Sequence, residues 1–253
     1  MKQLETQPAA APAAGQPSPP PGAPGKDRPW LPWWAGIALA LMLYALYQAW
    51  IAAPTEATMG IYQRIFYVHV PAALTGFGAF VVNLAASLWY LVRRNRAADA
   101  LAVAAAEVGV TLLAVNLISG PIWAKPIWGI WWTWDARLTL TLVIWIMYVS
   151  YLVLRQFTPH SEMQPRLAAA YAMFIFVAVP VDYMAIRWWR TQHPQPVLFG
   201  GPHAGLAPAM LYALCAGFAA FAALAVTLAR IRYRQERLRQ KIQQRQRERA
   251  LAA

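Results

Sequence analysis

Cysteine and charge are both scarce in this 253-residue chain, and each scarcity excludes a class of protein. The single cysteine, Cys215, cannot form an internal disulfide, and it excludes any paired-cysteine motif for a metal or a covalent cofactor. Charged residues make up only 13% of the chain, about half of the roughly 25% that soluble domains carry. The composition therefore indicates that a lipid bilayer, and not water, surrounds most of the chain.

Acidic residues are the scarcer of the two charge types, which leaves a net charge of +12. Nine basic residues between Arg230 and Arg249 account for most of that excess, and they directly follow an apolar run. Such a placement is typical of a cytoplasmic anchor on anionic lipid, so we predict no nucleic-acid partner. A specific contact between this stretch and another macromolecule remains the alternative.

Six apolar segments predict an all-α integral membrane protein with six transmembrane helices. Residues 1–33 are rich in Pro and Ala and are expected to form a disordered cytoplasmic tail. Residues 34–229 form the predicted membrane domain, and residues 230–253 a basic cytoplasmic tail. The predicted spans cover about residues 34–53, 67–92, 101–120, 138–154, 166–187 and 207–229.

The distribution of Lys and Arg predicts that both termini lie in the cytoplasm, because short inner loops such as 93–96 are the basic ones. The loops at about 54–66, 121–137 and 188–206 then face outward, away from the cytoplasm.

A run of tryptophans dominates the second outer loop, between two apolar segments. Indole offers a large flat apolar surface and one N–H donor, so a dense patch of indoles suits a large flat apolar ligand. An ordinary interfacial aromatic belt is the alternative, although a belt does not require so many rings together. The candidate ligand surface comprises Trp123, Trp128, Trp131, Trp132, Trp134 and the adjacent Asp135.

Three of the four histidines fall on the same side as the tryptophans. His69 lies at the outer end of the second predicted helix, while His193 and His203 lie in the third outer loop; His160 lies in an inner loop. Haem is flat and apolar, and its iron takes axial imidazoles. For each histidine alone, a solvated or hydrogen-bonded side chain is the competing interpretation.

Charged side chains near the same boundary have two possible roles. Arginines such as Arg64 and Arg137 suit the carboxylates of haem propionates, although snorkelling to lipid headgroups is equally common. Asp135 is expected to cap the fourth helix. Asp182 lies in an apolar run, and we predict that it pairs with Arg187.

These motifs resemble a known family. The pattern Trp128-Gly129-x-Trp131-Trp132-x-Trp134-Asp135-x-Arg137 is similar to the "WWD" signature of haem-handling proteins in cytochrome c biogenesis. The motifs Arg64-Ile65-Phe66-Tyr67-Val68-His69 and Trp188-Trp189-Arg190-Thr191-Gln192-His193 are similar to the two histidine motifs of its CcmC branch (cytochrome c maturation protein C). The resemblance covers roughly residues 34–229.

The resemblance implies a haem exporter component that is not an enzyme. It implies non-covalent haem b on the tryptophan surface, with His69 and His193 as axial ligands of the iron. It also implies delivery of haem to the periplasmic chaperone CcmE, together with the membrane partners CcmA, CcmB and CcmD. Arg190 departs from the small polar residue expected there, and it becomes a third propionate candidate beside Arg64 and Arg137.

Three other functions remain open from the sequence. The protein could transport haem through its helices, it could be another WWD-type assembly protein, or it could be a quinone-linked cytochrome b. The last alternative would place histidine pairs inside helices, and the sequence has none.

Overall fold

Long helices form nearly all of the chain that the structure describes. This computed structural model describes residues 30–158, 163–193 and 205–252. The helices are α1 (Trp30–Tyr47), α2 (Phe66–Arg93), α3 (Arg96–Trp128), α4 (Ala136–Phe157), α5 (Met163–Phe176), α6 (Ala178–Trp188) and α7 (Pro208–Ala252). A π-helical turn at Gln48–Ala52 extends α1, and a 3-10 turn at Ile61–Ile65 precedes α2.

Within the described residues, six segments are long and apolar enough to cross a membrane. One of them combines α5 and α6, which are separated only at Val177. The prediction of an all-helical protein with six spans is confirmed.

The third helix is longer than predicted, and this changes the place of two tryptophans. α3 continues through Pro121 and Pro126 as far as Trp128, as membrane helices often do through proline. It ends at Gly129, whose φ of +77° and N–H bond to the Lys125 carbonyl (3.0 Å) form a left-handed cap. Trp123 and Trp128 therefore lie on the last turns of α3 and not in a loop.

The first and last helices extend beyond the predicted spans. Of the predicted tail 1–33, residues 1–29 lie outside the described residues, and α1 begins at Trp30. At the other end, α7 continues through the predicted basic tail as one helix to Ala252. The many Arg and Gln residues of that stretch are good helix formers, so the helix continues beyond the apolar segment.

α2 and α3 form the centre of the bundle, and α4, α5 and α7 pack around them. The Phe80 ring is fully buried and stacks on Tyr148 with 3.6 Å between the ring centroids. A Cβ added at Gly109 would lie 2.3 Å from the Phe80 ring, so only glycine permits this packing. The middle of the bundle is therefore closely packed.

The two ends of the bundle have different chemistry. At one end, here called the basic end, Arg155 binds Asp99 at 2.7 Å and Gln240 donates to the same carboxylate at 3.1 Å. Arg232 also pairs with Glu107, so polar contacts tie the extension of α7 to α3. At the opposite end, α2 and α4 begin and α3 and α6 end.

Candidate functional site

A cavity of about 320 Å³ lies at the end opposite the basic end. This volume is within the range of about 300–1,000 Å³ that is usual for ligand pockets. α2, α3, α4 and α6 supply most of the walls, and these are mainly apolar. Among the lining residues are His69, Asn116, Gly120, Trp123, Trp128, Trp132, Arg137, Leu138, Thr141, Tyr183, Ile186, His193 and Met59.

His69 lies in the first turn of α2 and is held by polar groups of α3. Its Nδ1 is 3.0 Å from the Ser119 hydroxyl, and the Asn116 amide nitrogen is 3.0 Å from its Nε2. Its ring meets Trp123 edge-on, with centroids 5.7 Å apart. A Cβ added at Gly120 would be 3.3 Å from the imidazole Cε1, so the absence of a side chain there makes room for the ring.

His193 lies in the segment that follows α6, and it lines the same cavity as His69. Its backbone N–H donates to the Thr191 hydroxyl at 3.0 Å. The preceding N–H, that of Gln192, donates to the Asp135 carboxylate at 3.2 Å. This segment is therefore fastened to the tryptophan segment. The structure thus brings together two histidines that lie far apart in the sequence.

The tryptophans divide into two groups. Trp123, Trp128 and Trp132 line the cavity. Trp131 and Trp134 do not line it, and they are 58% and 76% exposed. The two groups touch where the Trp132 and Trp134 rings meet edge-on, 5.8 Å between centroids. The aromatic surface predicted from the sequence is therefore part cavity wall and part outer surface.

Asp135 caps α4, as predicted, and it does more than cap. One carboxylate oxygen accepts the Leu138 N–H at 3.0 Å, which is the N-cap bond. The other accepts from Thr133 (3.1 Å) and from Gln192. Burial alone would raise the pKa of this carboxyl, but the hydrogen bonds it accepts outweigh burial and hold its pKa below the ordinary value of 3.8. Asp135 does not itself line the cavity.

Arg137 lines the cavity from the first turn of α4, and its partner is Asp182. The ion pair measures 2.8 Å, and the Thr141 hydroxyl donates to the same carboxylate at 3.0 Å. The predicted pair between Asp182 and Arg187 is wrong, because residues five apart lie about 140° apart around a helix. Arg187 lies instead over the Tyr183 ring.

The other two arginine candidates lie outside the cavity lining. Arg64 donates to the carbonyl of Trp50, which links the 3-10 turn before α2 to the π-helical turn after α1. Arg190 is exposed in the segment after α6. His160 and His203 lie outside the described residues.

Several residues of the site carry no recognisable motif. Ser119, Asn116 and Gly120 surround His69 only because α3 packs on α2. Met59 reaches the cavity from a tight turn, in which the Glu56 carboxylate accepts the N–H groups of Thr58 and Met59. These hydrogen bonds lower the pKa of Glu56 below its ordinary value of 4.5, and the bond from the Met59 N–H has the largest effect.

Comparison with known proteins gives one family. Residues 24–248 match the family model described as CcmC, heme exporter protein C. Proteins of that name from Bradyrhizobium diazoefficiens and Rhodobacter capsulatus are 32% and 33% identical to the chain, over 84% and 81% of its length and 80% and 86% of theirs. The protein of that name from Escherichia coli is 31% identical over 64% of the chain and 66% of its own length. This chain therefore belongs to the heme exporter protein C family, as its tryptophan and histidine motifs predicted.

Proposed function

We propose that this protein binds haem b non-covalently in the cavity, as a cargo, and presents it at the periplasmic face of the bacterial inner membrane to the haem chaperone CcmE. It acts in cytochrome c biogenesis as a handling protein without catalysis of its own. The observation that carries this proposal is that His69 and His193 line one cavity together with three indoles and a guanidinium.

The donor set of the cavity fits haem better than a bare metal ion. Among the described residues, no three His, Cys, Asp or Glu side chains converge as they would to hold an ion. Two imidazoles between apolar walls suit a metal whose other ligands come from a flat macrocycle. His69 and His193 supply the axial nitrogens, and Trp123, Trp128 and Trp132 cover apolar ring surface at about 25 cal/mol per Å².

Arg137 is the first candidate for a propionate, because it lines the cavity while the other two arginines do not. A guanidinium has five N–H donors, so its contacts with Asp182 leave donors for a ligand carboxylate. Arg64 and Arg190 would meet only a carboxylate that extends beyond the cavity. Trp131 and Trp134, together with Asp135 next to them in the sequence, form the exposed border at which haem is offered to the chaperone.

Presentation is favoured over passage of haem through the helices. The cavity lies at one end of the bundle, and the stacked Phe80 and Tyr148 rings fill the middle. Asn83, one of the polar residues in the spans, is fully buried and donates to the Ala102 carbonyl. Haem transport by this protein alone in sealed vesicles would instead support the transporter.

The remaining parts of the proposal concern orientation and partners. The arginines of the basic end are expected in the cytoplasm, which directs the cavity toward the periplasm. CcmA, CcmB and CcmD are the proposed membrane partners.

An optical spectrum of the purified protein tests the proposal directly. We expect a spectrum of bis-histidine haem, and we expect H69A and H193A each to change the axial ligation and to lose haem more rapidly than the parent. H160A is the control, because His160 is predicted to lie in a loop on the opposite side. Full haem content with unchanged bis-histidine bands in both H69A and H193A would exclude these ligands.

The chaperone step has its own test. Haem-loaded protein mixed with purified CcmE is expected to transfer its haem. We expect the double substitution W131A/W134A to slow this transfer while the protein still binds haem. Transfer at an unchanged rate would remove the exposed tryptophans from the proposal.

A further inference from the structure

The Ser119 hydroxyl lies between two groups of different hydrogen-bonding character. Its oxygen is 3.1 Å from the backbone carbonyl oxygen of Asn116 and 3.0 Å from the His69 Nδ1. A carbonyl oxygen can only accept, so both contacts are hydrogen bonds at the same time only when the single hydroxyl proton is donated to this carbonyl. In that arrangement the hydroxyl oxygen accepts from His69, and Nδ1 carries the ring proton.

The Asn116 amide holds the same ring from another direction. Its nitrogen is 3.3 Å from the backbone carbonyl of His69, an acceptor, which fixes the amide with nitrogen and not oxygen toward this residue. The same nitrogen is 3.0 Å from Nε2 and 3.3 Å from Nδ1, so it lies over the face of the imidazole and not along the lone pair of either ring nitrogen. Asn116 therefore positions the ring, and the contact with Ser119 is the one that bears on the tautomer.

We propose that Ser119 is a positioning residue that fixes His69 in the Nδ1–H tautomer and keeps Nε2 available as the ligand atom. The inference rests on the proposed role of His69 as an axial ligand. The Asn116 amide lies over the ring and does not occupy the Nε2 lone pair, so its bond to the His69 carbonyl is kept on haem binding. Ser119 holds the ring orientation in both states.

The expected effect is that of losing a hydrogen-bond partner behind a metal-bound histidine. Such losses typically weaken metal binding by about 10-fold to 100-fold. We therefore expect S119A to lose haem at least about 10-fold faster than the parent. S119T retains the hydroxyl and should restore a rate close to that of the parent. S87A is the matched control, because Ser87 is a buried serine of α2 on the side of the basic end.

Nitrogen NMR of the haem-free protein with ¹⁵N-labelled histidine separates this inference from the proposed function. We expect His69, assigned with H69Q, to show the Nδ1–H tautomer in the parent, S119T and S87A proteins, and a mixture of tautomers in S119A. A predominant Nε2–H tautomer in the parent protein would overturn the inference, even if S119A failed to fold. An unchanged tautomer and an unchanged haem loss rate in S119A would also overturn it. If S119A shows the expected mixture of tautomers while H69A keeps a bis-histidine haem spectrum, then the inference about Ser119 holds and the assignment of His69 as an iron ligand fails.

Discussion

The two oxygens of Asp135 perform separable tasks, and this leads to a specific prediction. One oxygen caps α4 through Leu138, while the other holds the segment of His193 through the Gln192 N–H. Asn is as good an N-cap as Asp, so D135N should keep the cap. Its amide nitrogen cannot accept the Gln192 N–H, so the link to that segment is lost. D135A should lose both.

The magnitudes follow from these two contacts. A hydrogen bond to a charged group contributes about 1.5 kcal/mol at the low end of its range, which applies here because the Gln192–Asp135 bond is exposed. When a segment is released from its binding position, apparent affinity falls with the fraction that remains competent, so D135N should weaken haem binding by up to about 10-fold. An N-cap contributes about 1 kcal/mol, so D135A should also lower the free energy of unfolding by about that amount relative to D135N.

N95A provides a control at the opposite end of the molecule. The Asn95 side chain caps α3 by accepting the Ala97 N–H at 2.8 Å, and this cap lies close to the basic end. N95A should therefore lose about 1 kcal/mol of stability with no change in haem affinity. The assays are haem titration of the apoprotein and denaturation in detergent. Parent-like haem affinity in D135N, or an equal loss of affinity in N95A, would refute the reasoning.

Three further predictions concern packing and pH. G120A should press on the His69 ring and accelerate haem loss, whereas G78A, where an added Cβ meets nothing within 4 Å, should leave haem loss unchanged; a dissociation assay compares them. G217A should lower the free energy of unfolding by about 1–3 kcal/mol, measured by denaturation against G78A, because its Cβ would lie 2.7 Å from a backbone oxygen of α2. The lowered pKa of Asp135 means that its stabilising contribution is complete above pH 3.8 and is lost as the pH falls through that lower pKa. The difference in unfolding free energy between parent and D135N should thus stay constant from about pH 7 to about pH 5 and shrink below pH 3.8, and a difference that changes near neutrality would contradict this assignment.

The helix boundaries illustrate how far local sequence rules extend. The cap at Asp135 could be predicted because capping is a local interaction. An acidic side chain directly before an apolar helical segment accepts a hydrogen bond from one of the first N–H groups of that helix. The end of α3 was predicted too early, at about residue 120, whereas the helix continues through Pro121 and Pro126, as membrane helices can. The decisive residue, Gly129, ends the helix through its positive φ angle.

The partner of Asp182 illustrates a different limit. Arg187 was predicted as the partner because it is the nearest basic residue along the chain. On the helix, however, Arg187 and Asp182 lie on different sides, and Arg137 from α4 pairs with the carboxylate instead. Likewise, Arg64 lies close to His69 in sequence, yet it donates to the Trp50 carbonyl outside the cavity lining. Proximity along the chain is a poor guide to partners when helices cross.

Local features were enough to predict a six-span helical membrane protein of the heme exporter protein C family, because apolar length, charge and the motifs around Trp128 and His69 can each be read from a single segment. The packing of the helices was needed to show that His69 and His193 share one cavity, which tryptophans line it and which arginine reaches it. It alone also revealed Ser119 and Asn116 behind His69. The physical reason is that these contacts depend on the packing of helices far apart in sequence, and no pattern within a single segment encodes that packing.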